Sequence, residues 1–335
     1  MVNSTIKNVD LSIIIPCYNA ELYISKTLDS IVDFDFRGFN IEIIIINDGS
    51  FDDSEKIILS YSSKYDFIKL INQNNQGVSS AINSGLNVFT GDYVFVLASD
   101  DWCYFNTILN SLEIAKSKKL DIIAFGLETY NEKNIVTGTR KPQPVPHNVI
   151  LSGRQILEFG YYPSSICVFL LHSSFFKEKK IRFIENLTHN DVEISNRLML
   201  EANSVYYTNE IGYCYFRHDN TITIPRTIDK LKRHLADSII VASHIKNNIV
   251  VFELNENKIK QAIQKNYNSV VWSLLLRFIQ KPNEVDYEFK KECLEELKKR
   301  ELYPIKGSLK TNFQKITSIF FNFFWLYKLV IKFKK

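Results

Sequence analysis

Leu11-Ser12-Ile13-Ile14-Ile15-Pro16 and Ile41-Glu42-Ile43-Ile44-Ile45-Ile46-Asn47-Asp48-Gly49-Ser50 decide the fold. Each is a short β-branched run ended by a breaker, the pattern of a strand buried on both faces. Between them, Glu21 to Val32 carries Leu22, Ile24, Leu28 and Ile31 near helical spacing, so the three segments make a β-α-β unit. The alternation continues outward. A helix is expected from Asp52 to Tyr65, a strand over Ile68-Lys69-Leu70-Ile71, a helix from Ser79 to Phe89 and a strand from Tyr93 to Leu97. A further helix from Asn106 to Lys118 and a strand from Asp121 to Phe125 follow. This predicts an α/β fold, a mostly parallel sheet covered by helices, whose ligands sit beyond the carboxyl ends of the strands.

The pattern then loosens. Pro142, Pro144 and Pro146 predict a surface loop. Ile194 to Leu200 reads as a helix, and Val205-Tyr206-Tyr207 and Tyr213-Cys214-Tyr215-Phe216 as two short strands. Beyond Pro225, Ile228 to Ile279 and Glu284 to Arg300 read as helices. The expected domains are therefore 1–225, in halves of about 9–120 and 121–225, then a helical region over 226–315 and a tail over 316–335. That tail mixes Ile319, Phe320, Phe321, Phe323, Phe324, Trp325, Leu326, Leu329 and Val330 with Lys328, Lys332, Lys334 and Lys335. Asn322 and Lys328 interrupt it and leave it short of a bilayer span, so attachment at the membrane surface is expected, with docking on the protein itself as the alternative.

Composition narrows the function. The chain has 335 residues, 45% of them hydrophobic, enough for one substantial core and a smaller unit. Its 41 basic and 37 acidic side chains are too evenly balanced for bulk electrostatic binding of nucleic acid. Cys17, Cys103, Cys167, Cys214 and Cys293 are odd in number and widely spaced, which indicates neither a disulfide framework nor a thiolate zinc site. The polar stretch Met1 to Asp10 lacks the apolar core of a secretory signal, so a cytoplasmic location is expected, at the inner face of the membrane if the tail attaches there.

Two carboxylate positions follow expected buried strands. Asp48, beside Gly49, would stand at the sheet's carboxyl edge, where it would accept the imide N–H of uracil or the amino group of guanine; organising a turn is the equal alternative. Asp100-Asp101 follows Tyr93 to Ser99. Adjacent buried acids call for a cation, and hard oxygen ligands suit Mg2+ or Mn2+ bridging a diphosphate. Capping the helix from Asn106 is the competing use.

The order of these pieces resembles the family 2 inverting glycosyltransferases of GT-A fold. The resemblance rests on Ile13-Ile14-Ile15-Pro16-Cys17-Tyr18-Asn19, Ile46-Asn47-Asp48-Gly49-Ser50, Asn75-Gln76-Gly77-Val78-Ser79, Asn83-Ser84-Gly85, and Gly91-Asp92-Tyr93 leading into Ser99-Asp100-Asp101. It is strong from Leu11 to Leu120 and thins towards Ile224. It implies a Rossmann-like sheet with helices on both faces. It also implies that Pro16, Tyr18 and Asp48 hold the nucleoside, with Asn19 and Gly77 in the same donor site. Of Asp100 and Asp101, one positions the ribose and the other ligates the metal. The family's base matches Asp191 in His189-Asn190-Asp191-Val192-Glu193-Ile194, with Glu193 as the fallback and helix capping as the plain alternative for Asp191. Tyr215-Phe216-Arg217-His218 resembles the segment that closes these domains, which places Arg217 and His218 near the diphosphate or metal. Three departures stand out: Ala98 where a further acid is common, Ile82 where an arginine is common, and Asn190 where an acid often precedes the base.

The implied activity is metal-dependent inverting transfer of one sugar from a nucleotide-diphosphate sugar, most simply a UDP-sugar, to a glycan or lipid-linked oligosaccharide acceptor in surface polysaccharide assembly. A processive synthase is disfavoured by the absence of Gln-x-x-Arg-Trp, and a nucleotidyltransferase by the absence of a glycine-rich basic loop after Ile15. The reading from another class is a sugar-nucleotide or glycan-binding protein that kept the fold and lost the chemistry.

Overall fold

The computed structural model describes residues 8–141, 144–161, 164–188, 190–218, 227–323 and 327. His189, Pro142, the segment Asn220 to Ile224 and most of the tail lie outside them. The chain packs as two compact units, one of residues 1–153, 165–186 and 201–219, the other of 154–164, 187–200 and 220–335. The break does not fall at the expected residue 225: the segment bearing Asp191 packs with the helical unit.

The expected alternation runs through β1 (Leu11–Cys17), α1 (Ile24–Val32), β2 (Ile41–Asp48), α2 (Ser54–Lys64), β3 (Ile68–Gln73), α3 (Val78–Val88) and β4 (Tyr93–Val96). After it come β5 (Trp102–Cys103), α4 (Phe105–Lys118), β6 (Ile122–Tyr130), β7 (Val136–Arg140), β8 (Ile150–Leu151), α5 (Gly153–Glu158), β9 (Phe169–His172), α6 (Ser174–Lys177), α7 (Asn190–Glu201) and β10 (Val205–Phe216). The helical unit adds α8 (Ile228–Val251), α9 (Asn257–Gln280), α10 (Tyr287–Lys299) and α11 (Asn312–Asn322).

The sheet runs β3-β2-β1-β4-β9-β6-β10-β5, with β7 on β6 and β8 on β10. β3, β2, β1 and β4 are parallel, as β6 and β10 are, while β9 lies antiparallel between β4 and β6. Consecutive residues of β1 and β2 are buried, and because neighbours along a strand point to opposite faces, both faces are covered. α3 can lie close because residue 85 is glycine: a Cβ there would stand 2.6 Å from Ile14 Cγ2 and 2.9 Å from Ile46 Cδ1. Below them the buried Glu42 accepts from Ser12 Oγ (2.6 Å), Thr90 N (2.7 Å) and Lys69 Nζ (2.8 Å).

β10 is one strand where two were expected. Its polar Thr208-Asn209-Glu210 interrupts the apolar pattern, and there the pairing with β6 shifts register between Tyr207 and Ile211 and again before Tyr213.

In the helical unit, α9 packs on α8 and α11, and α10 packs on α8. Thr227, Asp286 and Thr311 cap α8, α10 and α11, accepting from Lys230 N, Phe289 N and Gln314 N at 3.2, 2.8 and 3.1 Å. The start of α7 is tied to this unit by Asp237 Oδ2, which accepts from Thr188 N (2.9 Å), and its middle by Asn266, which donates to Asn196 (2.9 Å).

Candidate active site

β2, β1 and β4 end side by side at one edge of the sheet, and the loops that follow them carry most of the expected residues. Asp48 ends β2 and is buried. Its Oδ1 accepts from Gln73 Nε2 (2.7 Å) and Gln76 N (2.9 Å), and its Oδ2 from Gly77 N (2.8 Å). The carboxylate thus holds the loop between β3 and α3, and Oδ2 keeps one lone pair for a further donor. Gly49 makes this turn: at φ +70° its backbone is in the left-handed region, and a Cβ would meet Asn75 N at 2.9 Å.

After β1, Pro16 is half-buried and Cys17 is buried, its thiol pushed up to about 12 chiefly by burial and so unreactive. Asn19 stitches this loop to the one after β2. Its N–H donates to Ser50 Oγ and its Oδ1 accepts from Phe51 N, both at 3.0 Å. Beside it, Tyr18 is 44% exposed and stands edge-on to Phe51, which is 83% exposed, with ring centres 6.1 Å apart. Two exposed aromatic rings at the mouth of a sheet edge make a surface for a flat ring.

The two adjacent acids after β4 face different ways. Asp101 is buried; its Oδ2 accepts from the Tyr213 hydroxyl and its Oδ1 from Phe216 N (2.7 Å). Burial and the neighbouring Asp100 push its carboxyl well up, against the pull of those two hydrogen bonds. Burial raises the Tyr213 phenol too, which keeps it a donor. Asp100 is the more exposed of the two acids, and its Oδ2 lies 3.1 Å from Nε2 of the buried His218. That imidazole is clasped between Tyr23, with ring centres 4.3 Å apart, and Phe216, stacked at 5.1 Å. Thr27 Oγ1 steadies the loop from beneath, 2.9 Å from Ser99 O and 2.7 Å from Asp101 O. Neither acid caps α4, whose cap is Tyr104.

The structure therefore joins Asp100 to His218, whereas the resemblance divided ribose and metal between Asp100 and Asp101 and set His218 near the diphosphate or metal. One carboxylate oxygen and one imidazole nitrogen are a donor pair that would suit a divalent cation. Among the described residues no three His, Cys, Asp or Glu side chains converge as a complete metal shell. A cation held here would take two ligands from Asp100 and His218 and the rest from phosphates and water. Arg217 is exposed beside this pair in the chain, its N–H donating to Tyr130 O (2.8 Å). Tyr213, Tyr23 and Thr27 were missed. The only signal for Tyr213 was its place ahead of Phe216-Arg217-His218.

Asp191 belongs to the helical unit and lies in the first turn of α7, which begins at Asn190; it is inside the helix, not its cap. Glu193 cannot serve as the fallback base. It is buried, and both its oxygens accept from Arg197, from Nε at 2.8 Å and Nη2 at 2.7 Å.

A family model, Glycosyl transferase family 2, matches residues 12–180. The chain is 28% identical over 264 residues to YibD, an uncharacterized glycosyltransferase of Escherichia coli, covering 72% of this chain and 75% of that one. It is 31% identical over 287 residues to GgaB, a minor teichoic acid biosynthesis protein of Bacillus subtilis, covering 81% of this chain but only 30% of GgaB. Among solved structures, Staphylococcus aureus TarS 1–349 superposes with a TM-score of 0.70 at 18% identity, over 96% of this chain and 90% of that one, and the same protein is known in complex with UDP and with UDP-GlcNAc. That likeness speaks for the fold. The family match speaks for more: it runs from β1 through α6, across every loop described at the ends of β1, β2 and β4, and the chain belongs to glycosyl transferase family 2.

Proposed function

We propose that the chain is a metal-dependent inverting glycosyltransferase that moves one sugar from a UDP-sugar to a glycan or lipid-linked acceptor at the cytoplasmic face of the membrane, in surface polymer assembly. The observation that carries the reading is the Asp100 to His218 contact of 3.1 Å, at the sheet edge where Tyr18 and Phe51 are exposed. In this reading the uracil lies against Tyr18 and donates its imide N–H to the remaining lone pair of Asp48, while Pro16, Asn19 and Gly77 shape the loops around it. Asp100 and His218 would hold the divalent cation, and the nitrogen ligand would favour Mn2+ over Mg2+. When bound there, the cation would neutralise charge on the departing diphosphate. Asp101 touches neither cation nor donor; it sets Asp100 by anchoring its loop to β10. Arg217 supplies a positive charge near the diphosphate, where Ile82 replaces the expected arginine. Asp191 takes the proton from the acceptor hydroxyl as its oxygen attacks the anomeric carbon from the face opposite the diphosphate. The UDP complexes of TarS and the teichoic acid role in GgaB's name support the donor and the pathway class.

The test is release of free nucleoside diphosphate from a panel of sugar nucleotides, with Mn2+, Mg2+ or chelator, for the wild type and Asp191→Asn. The reading expects metal-dependent release of UDP that drops by a factor of about 10²–10⁴ in Asp191→Asn, while donor binding persists. Donor binding without release, with acceptor glycans present, would instead make the chain a binding protein.

A further inference from the structure

α11 is amphipathic the wrong way round for a helix docked on a soluble protein. Its buried residues are Gln314, Ser318 and Phe321, two of them polar. Its outward residues Phe313, Ile316, Ile319 and Phe323 are 59%, 68%, 61% and 55% exposed. At about 100° per residue these four fall on an arc of roughly 120°, opposite the buried stripe. The helix is also pinned in that orientation. Gln314 Oε1 accepts from Lys310 N (3.0 Å), and Asn322 exchanges hydrogen bonds with the backbone of Ile305 (2.8 and 2.7 Å). Tyr303 donates to Phe321 O, and the buried Tyr327 donates to Leu275 O (2.7 Å). A fixed, contiguous apolar face of this kind marks a contact surface.

Charge identifies the occupant. From Leu302 to Lys335 the sequence holds seven lysines and no Asp or Glu. Lys315 stands exposed beside the apolar arc, and residues 324–335 add four of those lysines among further large apolar side chains. A second copy docking by two-fold symmetry would set this positive segment against itself, which electrostatic complementarity opposes. An anionic surface with an apolar interior matches both features. We propose that the outward face of α11 lies in the headgroup region of an anionic phospholipid bilayer, with Phe313, Ile316, Ile319 and Phe323 inserted and Lys315 on lipid phosphates. The inference deepens the membrane-side setting of the proposed function and rests on it. Vesicle binding is read without sugar transfer, so either reading can fail alone.

The experiment is co-sedimentation of the full chain with phosphatidylcholine vesicles, with and without phosphatidylglycerol, at low and high salt. Binding is expected only with phosphatidylglycerol, and weakened by salt. Lys315→Gln should weaken it about fivefold, and the triple change Ile316→Ser, Ile319→Ser, Phe323→Ser by more than about tenfold. All four positions are exposed, so melting temperature should hold; if the triple variant melts early, Lys315→Gln carries the test. Failure of the wild type to bind anionic vesicles overturns the proposal. Binding unchanged by these variants overturns it in favour of residues 324–335 alone. Concentration-dependent dimerisation that the triple variant abolishes, without vesicle binding, overturns it in favour of a second copy.

Discussion

Replacing Asp101 and Asp100 separately should separate a residue that shapes the site from one that holds its cation. Asp101→Ala strips the acceptor from the buried Tyr213 hydroxyl and from Phe216 N. Each buried donor left unmet costs about 1–2 kcal/mol, so the change should cost about 3 kcal/mol. For a unit of this size that lowers the melting temperature by roughly 6–12 °C. Asp101→Asn keeps an oxygen for Phe216 N and loses only the charge-assisted bond to Tyr213, about 1 kcal/mol. Among the described residues His218 is the side chain that pairs with Asp100, which is partly exposed, so Asp100→Asn should leave the melting temperature within about 1 °C. Metal dependence should rank the other way. In UDP-release assays titrated with Mn2+, Asp101→Asn should raise the half-saturating metal concentration by about tenfold, the usual cost of disturbing a ligand's support. Asp100→Asn removes a ligand itself and should exceed about a hundredfold. Equal metal shifts for the two asparagine variants, with no loss of stability in Asp101→Asn, would refute the argument and make Asp101 a direct ligand.

Three further outcomes follow from the geometry. Tyr18→Ala should raise KM for the donor about tenfold with kcat little changed, because stacking on an aromatic ring is worth about 1–2 kcal/mol; initial rates over a donor titration check it. Glu42 is buried, which pushes its carboxyl up, but the bonds from Lys69, Ser12 and Thr90 outweigh this and hold it below its ordinary value of 4.5. Its contribution to stability is therefore complete above that pH and lost as pH falls through the lowered value, so Glu42→Gln should lower the melting temperature at pH 7 and flatten its acid limb. Gly85→Ala should destabilise by about 1–2 kcal/mol in urea melts, since overpacking against Ile14 and Ile46 exceeds the gain in helix propensity.

What could be read from the sequence, and what could not, divides along physical lines. β1 and β2 were legible because strands buried on both faces leave unbroken β-branched runs between breakers, whereas the edge strand β3, with Ile68 its one buried residue, was read from its place in the alternation. β9, with only Phe169 to His172, is too short to be told from a helical or irregular apolar run. Two of the blocks that carried the resemblance turn out to act in packing. Gly85 lets α3 approach the sheet, and Gly91 donates its N–H to Ser12 Oγ at 2.9 Å, far along β1 from Tyr18. The fate of Glu193 was legible in principle, since Arg197 follows it at helical spacing and pairs with it. The split between Asp100 and Asp101 was not. Nothing in Ser99-Asp100-Asp101 says which acid is buried until β10 is placed against it.

That dependence on β10 explains how two adjacent carboxylates take opposite roles. Asp100 lies in the turn after β4 and Asp101 just past it, and it is Asp101 that is turned inward, where an unpartnered carboxylate is costly. Tyr213 and Phe216 N provide its partners, and both follow the stretch where β10 shifts its register on β6, between Tyr207 and Tyr213. Once Phe216 is bound to Asp101, His218 follows two residues on and is clasped by Phe216 and Tyr23 at Asp100. The bulged strand thus delivers both the partners of Asp101 and the imidazole beside Asp100. Deleting one residue from Thr208-Asn209-Glu210, where β10 gains two residues on β6, would turn Tyr213 to the other face and unseat both, with every residue of the Ser99-Asp100-Asp101 segment still in place.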